Sequence, residues 1–320
     1  MVGNRLSVWP RAMVSSPPPR RDPHAPLVVD AHHHIWRRAD LAWLQGLPQP
    51  RIFGEDGALR RDYPIEEYVA EARAAGVVGS VYVRTNRPAG REEEEVAWVQ
   101  SVADAHGFPP AIVGYADLAV ATVGTTLDRM MKHLRLRGIR QHLHWHEKDL
   151  YRFAPHPDLM DDPAWRAGLA EVARRGLLFE LQVFAGQMEA GARLVRDFAG
   201  TTFVLMHAGM LEDRSPDGWT RWRAGMRALA AAPNVHVKLS GLGTFERACS
   251  VDLWSPVIRE TVDLFGPERC MFGSNFPTEK LWTTYDEVVG VTTESQAGLA
   301  AGERPAVLHD TATRRYRLAA

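Results

Sequence analysis

Near the start of the chain, the segment Val28-Val29-Asp30-Ala31-His32-His33-His34-Ile35-Trp36 sets two imidazoles two residues apart. Its valines and alternating pattern predict a β-strand, in which every second side chain shares a face. Asp30, His32 and His34 are then expected on one side, with Val29, Ala31 and His33 on the other. A His-x-His pair on one strand face can grip a single ion or act jointly on one substrate. The same spacing also suits a polar strand end with solvated histidines, so the pair alone leaves both readings open.

Other polar residues fall on or at the ends of apolar runs. Arg84 follows the strand-like Val77–Val83, with Tyr82 and Arg84 on the face opposite Val81 and Val83. In Gly138-Ile139-Arg140-Gln141-His142-Leu143-His144, alternation puts Arg140, His142 and His144 together. Leu177 to Gln182 turns Glu180 and Gln182 away from an apolar face, and Phe203 to Gly209 is apolar until His207. Val235 to Ser240 presents His236, Lys238 and Ser240 opposite its valines, and a last run extends from Cys270 to Asn275.

These runs, with a short strand at Ile112–Ala116, make eight strands. Helical periodicity separates them over Tyr63–Ala75, from Val96 to Val102, and over Leu127–Leu136, Ala164–Arg175, Glu189–Phe198, Trp219–Ala231 and Val251–Phe265. The fold class expected is α/β, a single (β/α)8 TIM barrel over residues 27–320 with long βα loops. A doubly wound sheet with a small second domain is the alternative. No Gly-x-Gly-x-x-Gly follows a strand, which argues against that alternative and against a nucleotide cofactor. Barrel strands give one face to the helices and the other to the axis. Asp30, His32, His34, Arg84, Arg140, His142, Glu180, His207, Lys238 and Asn275 are therefore expected to converge on the mouth at the strands' C-terminal ends. The long loops Trp36–Gly57 and Trp145–Asp162 would rim it. Trp36, Trp43 and Trp145 line the mouth or pack structurally, and His144 and His146 read as rim residues. The run Glu92–Glu95 reads as a solvated helix start.

The 320 residues are 45% hydrophobic and 24% charged, with a formal net charge of −1. That balance gives no electrostatic reason for nucleic acid or an anionic membrane as partner, and no apolar run approaches the roughly 18 residues of a membrane span. Cys249 and Cys270 read as reduced thiols, consistent with a cytoplasmic protein. Residues 1–26, with Ser15-Ser16-Pro17-Pro18-Pro19-Arg20-Arg21, predict a disordered tail without the apolar middle of a secretory signal. Met13 within it suggests a later start or a dispensable arm.

Six segments carry a resemblance: Asp30-Ala31-His32-His33-His34-Ile35-Trp36, Arg137-Gly138-Ile139-Arg140, Glu180-Leu181-Gln182, His207-Ala208-Gly209, Val237-Lys238-Leu239-Ser240-Gly241-Leu242 and Phe272-Gly273-Ser274-Asn275-Phe276-Pro277. In this order the chain resembles the amidohydrolase superfamily, in its amidohydrolase-related branch. That branch holds L-fuconolactonase-like enzymes, 2-pyrone-4,6-dicarboxylate lactonase and related decarboxylases. The resemblance implies that His32, His34 and His207 hold one divalent metal ion, zinc first, together with an acid from strand eight. Three such ligands leave a position open for water or a carbonyl oxygen. Here strand eight offers Asn275 where much of the family has Asp, and an amide neither takes a proton from water nor binds zinc well. Glu180 is then available as ligand or general base, or as an ion-pair partner of Arg140 or Lys238. His207 or His142 can supply a base, as in relatives that work without an essential metal.

The expected function is a hydrolase opening a small cyclic ester by attack of activated water. Glu180, His207, Lys238 and Asn275 are its catalytic candidates, and Arg84, Arg140, His142 and Trp36 would touch the small-molecule substrate. A metal-dependent decarboxylase and a repurposed barrel with a binding or non-hydrolytic role are the alternatives. Relatives often pair, so a homodimer is open.

Overall fold

Eight parallel strands in chain order form the sheet: β1 Val28–His33, β2 Val77–Val83, β3 Ala111–Gly114, β4 Leu136–His142, β5 Leu178–Gln182, β6 Phe203–Leu205, β7 Val235–Leu239 and β8 Cys270–Phe272. They are the strands of a nearly closed barrel in a computed structural model that describes residues 27–318. The expected disordered tail lies outside the described residues. Closure comes just beyond β8, where His33 bridges Phe276, His34 N donates to Phe276 O at 2.8 Å and Asn275 N donates to His32 O at 2.7 Å.

Around the barrel run α1 Ile65–Ala74, α2 Glu92–His106, α3 Val123–Met130, α4 Pro163–Arg174, α5 Met188–Asp197, α6 Pro216–Ala230, α7 Val251–Phe265 and α8 Tyr285–Ser295. Among the described residues no helix is long and apolar enough to cross a membrane. The helix expected over Leu127–Leu136 begins and ends earlier, because Met131 to Arg135 turn directly into β4. The last helix, α9 Thr311–Arg315, closes the lower end. Ala312 and Tyr316 pack there on inward residues of the strands, among them Val29, Ala31, Val81, Val83, Val204 and Met271.

Strict alternation fails in β1. Its pairing with β2 slips by one residue between Asp30 and His33, so the strand carries a bulge. A bulge sets consecutive side chains on one side and re-aims the residues beyond it. Ala31 and His32 therefore both turn inward, with His34 beyond them, while Asp30 faces the helices. Asp30 accepts hydrogen bonds from Tyr68 of α1 at 2.9 Å and Tyr285 of α8 at 2.8 Å, so it leaves the set expected at the mouth. His33 stacks on Tyr68, with ring centroids 3.8 Å apart.

The glutamate run also divides. Glu93 and Glu94 are surface partners of Arg129 and Arg91. Glu95 is buried, and its Oε1 accepts from Tyr82 OH at 2.7 Å, Thr85 N at 2.7 Å and Thr85 Oγ1 at 2.8 Å. It ties the segment carrying Arg84 to α2 rather than solvating a helix end.

Candidate active site

At the C-terminal end of the strands lies a pocket walled by His34, Arg84, Arg140, His142, His144 and His207, with Asn275 on one side. Trp36, Trp43, Phe53, Phe153 and Phe245 form its apolar rim. Trp36 is held there by an Nε1–H bond to Arg61 O at 2.7 Å, and Trp43 by one to Thr85 O at 3.0 Å. His144, expected at the rim, is instead buried in the pocket wall, whereas Trp145 and His146 do not reach the pocket. Trp145 lies under the Arg152 guanidinium, and His146 Nδ1 accepts the Lys148 N–H.

The hydrogen bonds fix several protonation states. His34 Nδ1 lies 2.7 Å from Val83 O, and a carbonyl only accepts, so Nδ1 carries the proton and Nε2 is a lone pair. His142 Nδ1 lies 3.2 Å from Nη2 of Arg84, which only donates, so His142 presents Nε2–H. His207 Nδ1 meets Ser240 Oγ at 2.9 Å, leaving Nε2 toward the pocket. Burial holds all of these rings below the usual histidine range, helped at His142 by Arg84 and at His207 by Arg140 and Lys238. Burial, with Arg140, pushes His34 and His144 down to about 3. The pocket is thus lined by neutral imidazoles.

Two buried arginines supply its positive charge. Arg140 donates from Nη2 to Arg84 O at 2.8 Å, and Arg84 lies over the Tyr115 ring at 4.3 Å and bonds Asn86. The Nε of each has no hydrogen-bond partner among the described residues. Burial and the neighbouring Arg84 lower Arg140 to about 9.

His207 does not continue β6 as the sequence suggested. The strand ends at Leu205, and His207 and Ala208 take left-handed backbone with φ of 53° and 47°. Such conformations cost on the order of 1–3 kcal/mol each and concentrate at functional sites. The ring also demands a bare neighbour, since a Cβ at Gly241 would stand 2.5 Å from His207 Nδ1. Asn275 is left-handed too, with φ of 56°, a region asparagine tolerates better than most residues.

Glu180 and Lys238 sit one layer below the pocket rather than in its wall. Lys238 Nζ donates to Glu180 Oε1 at 2.5 Å, Tyr316 OH reaches the same oxygen at 2.6 Å, and both charged side chains are fully buried. This is the ion pair left open as the alternative for Glu180. Burial lowers Lys238 to about 8 against the opposing pull of Glu180. The pair acts on the site above it through charge, since Lys238 disfavours protonation of His32 and His207.

Sequence reasoning passed over Glu279, one turn after Asn275. It is completely buried beside the pocket wall, with Oε1 3.5 Å from Asn275 Nδ2 and Oε2 accepting Trp282 Nε1–H at 2.7 Å. Its i+4 spacing from Asn275 was the available signal.

The metal ion implied by the resemblance can be tested on the donor set. His32 and His34 bring their Nε2 atoms within 3.2 Å, near the roughly 3.3 Å between two nitrogens on one tetrahedral zinc. The rest of the set falls short. His32 Nδ1 has no partner among the described residues, whereas a ligating imidazole normally anchors its second nitrogen. Strand eight offers an amide, and no group of three His, Cys, Asp or Glu at metal-binding spacing occurs among the described residues. His207 does come close, with its ring centroid 4.8 Å from that of His32 and its Nδ1 at Ser240 Oγ, but without a strand-eight carboxylate or an anchor on His32 the donors do not fit the zinc site of three histidines and an acid that the resemblance implies.

Comparison with known proteins agrees with this architecture. The amidohydrolase family model matches residues 29–318. The "Uncharacterized protein y4mH" of Sinorhizobium fredii is 37% identical over 91% of this chain and 98% of that protein. An L-fucono-1,5-lactonase of Burkholderia multivorans is 31% identical over 91% of this chain and 96% of its own length. A crystal structure of a Burkholderia multivorans amidohydrolase with bound zinc superposes with a TM-score of 0.77 at 29% identity, covering 92% of this chain and all of that one. With motifs, barrel and family model coinciding over nearly the whole described chain, this protein belongs to the amidohydrolase family.

Proposed function

We propose that this protein is a lactonase, opening a small cyclic ester that carries an anionic group. The observation that carries the reading is the pairing of neutral, oriented imidazoles with two buried guanidiniums whose Nε–H groups are uncommitted among the described residues. Likeness to lactonases at 31% and 28% identity supports the bond type. The unneutralised arginines support an anionic substituent, because a buried cation without a counter-ion gains most from a ligand that brings one.

In this mechanism no step passes through a metal. The substrate anion lies against Arg84, and the ester carbonyl points at Arg140 and His142 Nε2–H. His207, with Nδ1–H on Ser240 Oγ, uses its Nε2 lone pair to take a proton from water. The water oxygen bonds the carbonyl carbon, and Arg140 and His142 hold the developing oxyanion. The ring C–O bond then breaks, and the proton on His207 passes to the leaving oxygen, giving a hydroxy acid. Burial, with Arg140 and Lys238, keeps His207 unprotonated before the reaction, so its Nε2 lone pair is available to the water. Asn275 orients the water. Glu180 and Lys238 set the potential beneath.

The test is acid release from a panel of neutral and carboxylated lactones, with CO2 monitored in parallel. Carboxylated lactones turning over, and His207→Ala losing that turnover, are expected. Release of CO2 without ester cleavage would favour a decarboxylase, and ligand binding without any turnover would favour a repurposed barrel.

A further inference from the structure

Glu279 is 0% exposed and has no cationic partner among the described residues. Burying a carboxyl in that way is costly, and here burial raises it to about 8. The surroundings are nevertheless built for it. Trp282 Nε1 and the Gly243 backbone donate to it, and Asn275 Nδ2 faces its other oxygen. A Cβ at Gly243 would stand 2.8 Å from Glu279 Oε2 and 2.6 Å from Trp282 Nε1, so the loop after β7 is bare where the carboxyl enters.

The donors around Glu279 belong to the turn carrying Asn275 or to the loop facing that turn. On its other side the Asn275 side chain reaches His34 and the pocket. An amide has one donor end and one acceptor end, and the two serve water differently. We propose that Glu279 is the positioning residue of the strand-eight amide: it draws Asn275 Nδ2 away from the pocket and leaves Asn275 Oδ1 facing the nucleophilic water. At 3.5 Å the contact is long for a hydrogen bond, and its orienting power is electrostatic, between a carboxyl oxygen and an amide N–H in a dry site. Without Glu279 the amide is free to turn over and offer water a donor where it needs an acceptor. The assignment rests on the hydrolytic reading above. It places the carboxyl that strand eight lacks one turn later, acting through Asn275 rather than on substrate.

A double-mutant cycle tests it, using Glu279→Gln, Asn275→Ala and the double variant in the full-length protein. Gln keeps the shape but has one acceptor oxygen for several donors. Glu279→Gln is expected to lower kcat roughly 10- to 100-fold, with KM held and no loss of melting temperature. The double variant should be no slower than Asn275→Ala alone, as expected for residues acting as one unit. Unchanged kcat in Glu279→Gln, losses that multiply in the double variant, or a loss that tracks melting temperature would overturn the proposal. A second readout is independent of turnover. The Asn275 side-chain amide protons, identified in NMR spectra by their absence from Asn275→Ala, should shift and exchange faster in Glu279→Gln. Unchanged protons overturn the proposal. A wild type that opens no lactone but shows this shift supports the positioning role and overturns only the hydrolytic reading.

Discussion

Asp30 and Arg140 are both buried charged residues on strands of one barrel, and their surroundings differ in kind. Asp30 accepts five hydrogen bonds, from His32 N at 2.9 Å, Ser274 N at 2.8 Å, Ser274 Oγ at 2.6 Å, Tyr68 at 2.9 Å and Tyr285 at 2.8 Å. Arg140 makes one, to Arg84 O, and its Nε has no partner among the described residues. The Asp30 network joins β1, α1, α8 and the turn after β8, which locks the seam where the barrel closes. The Arg140 region is held in place by its frame and left with unused donors. Satisfaction of hydrogen bonds, more than residue type, separates what holds this barrel together from what is left with donors to spare.

That contrast makes the framework fail by unfolding and the pocket fail by inactivity. The largest effect is expected from Asp30→Ala, which strands two tyrosines, a serine and two backbone N–H groups. It should lose roughly 4 kcal/mol or more of stability in urea unfolding. Lys238→Met should cost about 3–5 kcal/mol by leaving Glu180 buried and unpaired, and Glu180→Leu combined with it should recover most of that. His207→Ala should do the reverse of both, losing roughly 10²- to 10⁴-fold in kcat while unfolding at the wild-type urea concentration. Arg140→Met is expected to lower kcat roughly 10²- to 10³-fold by removing an oxyanion donor, without loss of stability, because it removes a buried cation that makes no ion pair among the described residues. Instability in Arg140→Met, or activity loss without instability in Asp30→Ala, would break the comparison.

The remaining effects are in the pH dependence, where two buried groups tilt stability in opposite directions. His144 has a folded pKa of about 3 against an ordinary 6.5, so its contribution is full above 6.5 and is lost as pH falls toward 3. The slope from this one group approaches 1.4 kcal/mol per pH unit, about RT ln 10. His144→Phe, packed against Phe153 and Phe184, should flatten that acid limb. Glu279 has a folded pKa raised from 4.5 to about 8, so its contribution is full below 4.5 and is lost as pH rises through 8. Glu279→Gln should flatten that alkaline limb in melts across pH 5 to 9.

The eight strands were legible in the sequence because each is a short apolar or alternating run bounded by helical periodicity, and period-2 alternation correctly paired Arg140 with His142. Alternation misled at Asp30, since a bulge depends on pairing with β2 and leaves no mark in β1 alone. It also gave the wrong reason for Arg84. Val81 and Val83 face the axis and Tyr82 faces α2, so Arg84 reaches the pocket by lying past the end of β2 rather than by strand parity. Glu95 was unreadable within a run of four glutamates, because only its contacts with Tyr82 and Thr85 set it apart. The left-handed turn at His207 was hidden by an apolar run that looks like continuing strand, and the need for Gly241 beside it is a tertiary fact. Glu180 and Lys238 were read onto the correct face of their strands, but depth along the barrel axis is set by strand stagger, which alternation does not report.

In the proposed mechanism water is activated by an imidazole and not by an ion. This is tested most directly by measuring hydrolysis of a carboxylated lactone by wild type and His207→Ala, each with its metal content determined by elemental analysis before and after exhaustive chelation. The account predicts that chelated wild type keeps its activity and that His207→Ala loses it whether or not metal is present. Activity that vanishes on chelation and returns in proportion to added zinc would contradict it.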